Sequence, residues 1–124
     1  MDAALPAETA VIFNPLGAGF RWAVEIPETG VGDTVVILGP GQRGLASVIA
    51  CREAGAGTII VTGLAEDARK LEVATLYGAD YTVDVDNEDA VRRVKELTDG
   101  SGADVVIDVS SYATQPVTLS LIHI

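Results

Sequence analysis

Cysteine and histidine each occur once in this chain, as Cys51 and His123. A disulfide within one chain is thereby excluded, as is a metal site built from cysteine and histidine. Basic residues are scarce: 8 Lys and Arg face 18 Asp and Glu, for a net charge of -10. An acidic surface repels phosphate backbones, so nucleic acid is not an expected partner. No apolar run approaches the roughly 20 residues of a membrane-spanning helix, so no membrane is expected either. Met1-Asp2-Ala3-Ala4 lacks the basic-then-apolar order of a signal peptide. Together these absences point to a cytoplasmic, reducing compartment.

Apolar residues, by contrast, make up 48% of the chain, enough to build a core and too many for a disordered segment. At 124 residues there is room for about one small domain. Residues 34–38, 58–62 and 104–109 are short, β-branched and largely apolar, the texture of strands buried on both faces of a parallel sheet. A shorter strand fits 81–85. Between them, residues 42–54 and 67–77 and a segment carrying Val91, Val94 and Leu97 read as helices. Asn87 is the expected N-cap of the last helix, and Gly100 its left-handed C-terminal residue. The β-α-β-α-β-α-β order predicts an α/β fold: a doubly wound parallel Rossmann sheet of strand order 3-2-1-4 in three α/β/α layers. Residues 1–26 hold two candidate helices, 7–13 and 16–25, with Pro15 expected to break the chain between them.

The first strand runs into Gly39-Pro40-Gly41-Gln42-Arg43-Gly44 and then a helix. This is G-x-G-x-x-G in the strand-to-helix setting that gives the pattern meaning. Gly39 permits a tight turn, Gly41 has no Cβ to block a pyrophosphate, and Gly44 lets the helix pack on the strand. The Gln42 and Arg43 amides then point at the phosphates with the helix dipole behind them. The Arg43 side chain has two readings of equal weight: a phosphate partner, or a solvated arginine pointing away.

The second strand ends Val61-Thr62-Gly63-Leu64, without the acid that accepts the ribose hydroxyls of NAD. Thr62, Gly63 and Leu64 would flank the adenosine ribose, and Lys70, with Arg69, follows within two turns. The missing acid tilts the NAD(P) choice slightly toward NADP, although Glu66 and Asp67 share the loop, and Arg69 and Lys70 fit a solvated helix face equally well. Ser110 and Ser111, at the end of the last strand, would lie on the nicotinamide side. The acids at 80, 84, 86, 88 and 89 read as solvated caps and turns rather than a metal cluster. Cys51 reads as a core residue. An S-adenosylmethionine-binding methyltransferase also uses a glycine loop but wants an acid after the second strand, which Thr62-Gly63 does not provide.

From about Leu5 to Val117 the chain resembles the cofactor-binding half of the medium-chain, alcohol-dehydrogenase-like oxidoreductases. The resemblance is carried by the blocks 31–45, 70–80 and 97–108, including Gly39-Pro40-Gly41-Gln42-Arg43-Gly44-Leu45, Tyr77-Gly78-Ala79-Asp80 and Gly102-Ala103-Asp104-Val105-Val106-Ile107-Asp108. It implies an NAD(P)-dependent oxidoreductase that moves a hydride between the cofactor and an alcohol or carbonyl substrate. A homo-oligomer is compatible with it. It also implies a GroES-like catalytic domain, for which the residues before Thr34 leave no room, so no catalytic residue is assigned here. The family's sheet continues for two strands beyond the fourth.

Asn14-Pro15-Leu16 falls where the family places a zinc ligand, and a neutral amide is a poor one; no metal residue is therefore assigned. On this reading residues 1–26 join a catalytic domain, 27–118 form a truncated Rossmann domain, and 119–124, with His123, are a non-native tail. The alternative reading is a folded fragment or nucleotide-sensing module without catalysis.

Overall fold

The computed structural model describes residues 4–111. Two short helices lead in, α1 (Ala7–Ala10) and α2 (Phe13–Phe20), the latter widening into a π-helical turn over Arg21–Glu25. There follow β1 (Thr34–Leu38), α3 (Gln42–Glu53), β2 (Thr58–Gly63) and a 3₁₀ turn over Ala65–Asp67. Next come α4 (Ala68–Tyr77), β3 (Tyr81–Asp84), α5 (Ala90–Leu97) and β4 (Val105–Asp108). The four strands form one parallel sheet of order β3-β2-β1-β4, the expected Rossmann-like arrangement. Val35 of β1 stands level with Ile59 of β2 on one side and Val105 of β4 on the other.

Side chains alternate across the sheet, and each set meets a different helix layer. Val35, Ile37, Ile59 and Val61 pack with Val48 and Cys51 of α3, Leu71 and Ala74 of α4, and Ala23 of the π turn. Val36, Leu38, Ile60 and Val83 pack on the opposite face with Val94 and Leu97 of α5. Both faces are thus covered, which is why the strands read as unbroken β-branched runs. Each such side chain contributes about 1.5–3 kcal/mol relative to leaving it exposed. Because α3 and α4 lie on one face and α5 on the other, the connections diverge between β1 and β4 and leave a crevice at their carboxyl ends.

Two local expectations need correction. Pro15 does not break the chain: it is the third residue of α2 and buried. In a first turn its missing N–H falls among donors that have no intrahelical acceptor anyway. The break comes earlier, at Val11 and Ile12. Likewise Asn87 does not cap α5. Its amide donates to Asp84 Oδ2 at 2.7 Å, and Asp89 is the cap, accepting from the Arg92 N–H at 3.0 Å. Gly100 does take a left-handed φ of 86°, preceded by Asp99 at 51°.

Arg52 links three elements. Its guanidinium donates to the Gly78 carbonyl at 2.6 and 3.2 Å, to the Ala56 carbonyl at 2.9 Å and to Asp80 Oδ2 at 2.7 Å. The same Asp80 oxygen accepts from the Ile59 N–H at 2.8 Å. Truncating Arg52 strips four charge-assisted bonds at once, though the site is partly solvated. Arg52→Ala is expected to lower the unfolding free energy by about 2 kcal/mol, read from the urea midpoint. Arg52→Lys should recover little, since a single ammonium does not fork.

Cys51 is fully buried, its thiol donating weakly to the Ala23 carbonyl at 3.7 Å. Burial pushes the thiol up to about 11 from its ordinary 9.0, against a smaller opposing pull from Arg52. The unfolded chain therefore releases this proton first as pH rises, and stability falls between about pH 9 and 11. At pH 8, alkylation of Cys51 should follow the opening of the fold, accelerating in parallel with urea denaturation. Rapid alkylation of the native protein would contradict the buried placement.

Candidate functional site

The fold requires glycine at two of the loop's three glycine positions. Gly39 adopts φ 112°, and a Cβ there would stand 3.2 Å from the Ser110 backbone. Its N–H donates to the Thr62 carbonyl at 3.1 Å, so the loop is tied to the end of β2. A Cβ on Gly44 would collide with the Gly39 carbonyl oxygen. Gly41 differs: it caps α3 in an extended conformation, and a Cβ there would meet no protein atom within 4 Å. Fold geometry explains glycine at 39 and 44, but not at 41.

The Leu45 N–H closes the first turn of α3 onto the Gly41 carbonyl at 2.9 Å. The amides of Gln42, Arg43 and Gly44 precede it and have no intrahelical acceptor. No acidic side chain occupies this first turn, so the positive end of the dipole is not offset from within the helix. Arg43 is exposed, and its guanidinium has an aromatic neighbour. It lies over the Trp22 ring, 5.3 Å from the centroid.

At the end of β2, Thr62 and Gly63 are buried and Leu64 is exposed. A Cβ on Gly63 would stand 3.0 Å from Pro40 Cγ and 3.2 Å from Leu71 Cδ2. The missing acid there has a packing cause: the glycine loop and α4 crowd that position. An acid does stand nearby, as Asp67, but it is turned back onto the chain. Its Oδ2 accepts from the Leu64 N–H at 3.0 Å and its Oδ1 from Lys70 Nζ at 2.9 Å. The Lys70 hydrogen bond holds the Asp67 carboxyl below its ordinary 3.8, and the same bond raises the Lys70 ammonium above its ordinary 10.5.

Ser110 is pinned by its own neighbour. Its N–H and Oγ both donate to Asp108 Oδ1, at 3.0 and 2.6 Å. Ser111 beside it is exposed. The structure thus brings Gly39, Gly41, Gln42, Arg43, Gly44, Thr62, Gly63 and Ser110 to one crevice edge at the carboxyl ends of β1, β2 and β4. Leu64 directly follows β2, and Lys70 stands in the first turn of α4, the two joined through Asp67.

The other carboxylates behave as caps. Asp86 accepts from the Ala65 N–H, Glu88 from the Asp84 N–H, and Asp84 from the Asp86 N–H. Among the described residues there is no group of three His, Cys, Asp or Glu able to hold a metal ion. Asn14 lies exposed in α2. No helix among the described residues is long and apolar enough to cross a membrane. The proposed tail 119–124, His123 and the end of the 27–118 domain lie outside the described residues. Sequence reading missed Trp22 as the partner of Arg43; its being the only tryptophan was the one available signal.

Residues 44–124 match the family profile described as zinc-binding dehydrogenase. Over 110 residues the chain is 53% identical to a Mycobacterium tuberculosis protein named as an alcohol dehydrogenase, covering 88% of this chain and 30% of that one. It is 37% identical over 110 residues to a sorbitol dehydrogenase of Halalkalibacterium halodurans, covering 89% of this chain and 32% of the other. Among solved structures, a zinc-dependent alcohol dehydrogenase from Streptococcus pneumonia in its apo form superposes with a TM-score of 0.77 at 31% identity, over 87% of this chain and 30% of that one. A zinc-binding dehydrogenase from Sinorhizobium meliloti 1021, bound to NADP, gives 0.76 at 35% identity, over 86% and 30%. The chain spans about 30% of the length of the curated relatives it matches. Its parallel sheet of order 3-2-1-4, its glycine loop and these matches agree: the chain belongs to the zinc-binding dehydrogenase family and carries the Rossmann-type domain of its alcohol-dehydrogenase-like members.

Proposed function

We propose that this chain binds NAD(P) as the cofactor half of an alcohol-dehydrogenase-like oxidoreductase. The observation that carries this reading is Gly41, whose Cβ direction is open although no protein atom requires a glycine there. A pyrophosphate approaching that face would meet the unpaired amides of Gln42, Arg43 and Gly44 and the positive end of α3. Gly39 and Gly44 shape the turn. Thr62, Gly63 and Leu64 flank the adenosine ribose, and Ser110 and Ser111 lie toward the nicotinamide. When bound, the cofactor supplies a two-electron hydride acceptor or donor for an alcohol or carbonyl carbon. This chain's part is to fix the cofactor's position.

The preference for NADP over NAD rests on the end of β2. Of the carboxylates at that end, Asp67 is bonded to the Leu64 amide and Lys70, and Asp86 to the Ala65 amide, while Glu66, exposed in the same turn, weighs on the side of NAD. Arg69, in none of the ion pairs among the described residues, supplies positive charge in the first turn of α4, and Lys70 beside it is already matched by Asp67. Zinc does not fit the described residues, because Asn14 is a neutral amide and no carboxylate, thiolate or imidazole cluster accompanies it. We place the protein in the cytoplasm, with its single thiol buried and reduced. We assign residues 1–26 to the segment that joins a catalytic domain, in keeping with a chain that spans about 30% of the length of the relatives it matches.

Calorimetric titration with NAD, NADP and S-adenosylmethionine tests the reading. Binding of NADP tighter than NAD, with no uptake of S-adenosylmethionine, is the expected result. Preference for S-adenosylmethionine would refute it, and tighter NAD binding would reverse the NADP assignment alone.

A further inference from the structure

Trp22 lies in the π-helical turn that ends α2, and 42% of its surface is exposed. The Ile26 N–H bonds to the Arg21 carbonyl at 3.0 Å, five residues back, which widens the turn. Just before it, Gly19 rests on Ala46 of α3 so closely that a Cβ would come within 2.8 Å of the Ala46 backbone. This contact fixes the approach of α2 to α3. The indole is thereby carried to the first turn of α3, where Arg43 stacks on it at 5.3 Å.

Arg43 takes part in none of the ion pairs among the described residues, although acids outnumber bases by 18 to 8. An aromatic face attracts a cation without occupying its N–H donors. A guanidinium held this way keeps its fork available for an anion. In the first turn of a helix that cation opposes the dipole. The ring offsets part of this cost, and an incoming phosphate reverses it.

We propose that Trp22 is a positioning residue: its ring holds the Arg43 guanidinium, clear of carboxylates, at the start of α3, where it receives the pyrophosphate of a nicotinamide dinucleotide. This rests on the function proposed above. The anion draws the guanidinium into hydrogen bonds, and the indole environment changes with it. Trp22 is the only tryptophan in the chain, so no other tryptophan contributes to its emission.

The test uses the full 124-residue chain. NADP and inorganic pyrophosphate are titrated by calorimetry into the wild type, Arg43→Gln, Trp22→Leu, Trp22→Phe and the Arg43→Gln/Trp22→Leu double variant, with tryptophan emission followed in the wild type and Arg43→Gln, which keep Trp22. Arg43→Gln should weaken NADP about tenfold, the loss of a charge-assisted contact. Trp22→Leu should weaken it about threefold, and Trp22→Phe, which keeps a ring, should recover most of that. The double variant should bind no more weakly than Arg43→Gln, because Trp22 acts through Arg43. Losses that multiply in the double variant, or a Trp22→Leu protein binding like the wild type, would overturn the positioning role while leaving dinucleotide binding intact. A wild type that ignores NADP yet shows Arg43-dependent quenching by pyrophosphate would refute the function above and keep Trp22 and Arg43 as an anion-receiving pair. Indifference to both ligands overturns both.

Discussion

Gly44→Ala should be the most damaging single methyl group in this chain. The added Cβ would run into the Gly39 carbonyl oxygen, a backbone atom that no rotamer change can move aside. Relief requires the start of α3 and the Gly39 turn to move apart, and Val109 Cγ2 already stands in contact, 3.5 Å from the same Cβ position. Overpacking against rigid atoms typically costs about 1–3 kcal/mol, and a backbone clash lies at the upper end or beyond. For a chain of this size that is a large share of total stability. Equilibrium urea unfolding should show a midpoint lowered by about 1 M or more, with dinucleotide affinity lost as a by-product. A midpoint unchanged from the wild type would mean that the helix start is not packed as described.

Gly41→Ala, the same methyl group three residues earlier, should do the reverse. Nothing within 4 Å opposes the new Cβ, and the extended backbone at Gly41, φ -71°, suits any residue. Stability should fall by less than about 1 kcal/mol, the difference between glycine and alanine as an N-cap. Affinity for NADP should fall about 10- to 100-fold, because the methyl occupies the face a pyrophosphate would touch. The pair of variants separates the two uses of glycine in one loop: calorimetry sees Gly41→Ala and denaturation sees Gly44→Ala. Wild-type affinity in Gly41→Ala would remove the main support for the dinucleotide reading.

The strands were legible because burial on both sheet faces forces β-branched apolar residues into short runs, as in Val35-Val36-Ile37-Leu38. The glycine loop was legible for a related reason: a backbone clash such as that between positions 44 and 39 leaves a fixed spacing in the sequence. Pro15 misled because its effect depends on where a helix starts, and α2 starts two residues before it. Asn87 and Asp89 are chemically interchangeable as caps. The choice between them is made by Asp84, which engages the Asn87 amide. At Gly63 the missing acid was visible, but its packing cause was not, since Pro40 and Leu71 reach that spot from separate elements. The Trp22–Arg43 stack joins residues on two helices with no common periodicity, so only their placement in space shows it.

The register of β4 against β1 bears on how the chain folds. Val35 pairs with Val105, and the Thr34 N–H is held by Asp104 Oδ2 at 2.8 Å, a closure spanning 70 residues. So distant a pairing raises the contact order of the sheet and with it the entropic cost of bringing β4 to β1. Within the described residues β4 has a strand neighbour on one side only, whereas β1 has two. Amide hydrogens of β4 should therefore exchange through partial opening, ahead of those of β1 and β2, which wait for global unfolding. The crevice beside the glycine loop lies between the internal strand β1 and β4, its neighbour on the outer side. If the exchange runs in that order, its two walls open separately, and a ligand that spans them would latch one to the other.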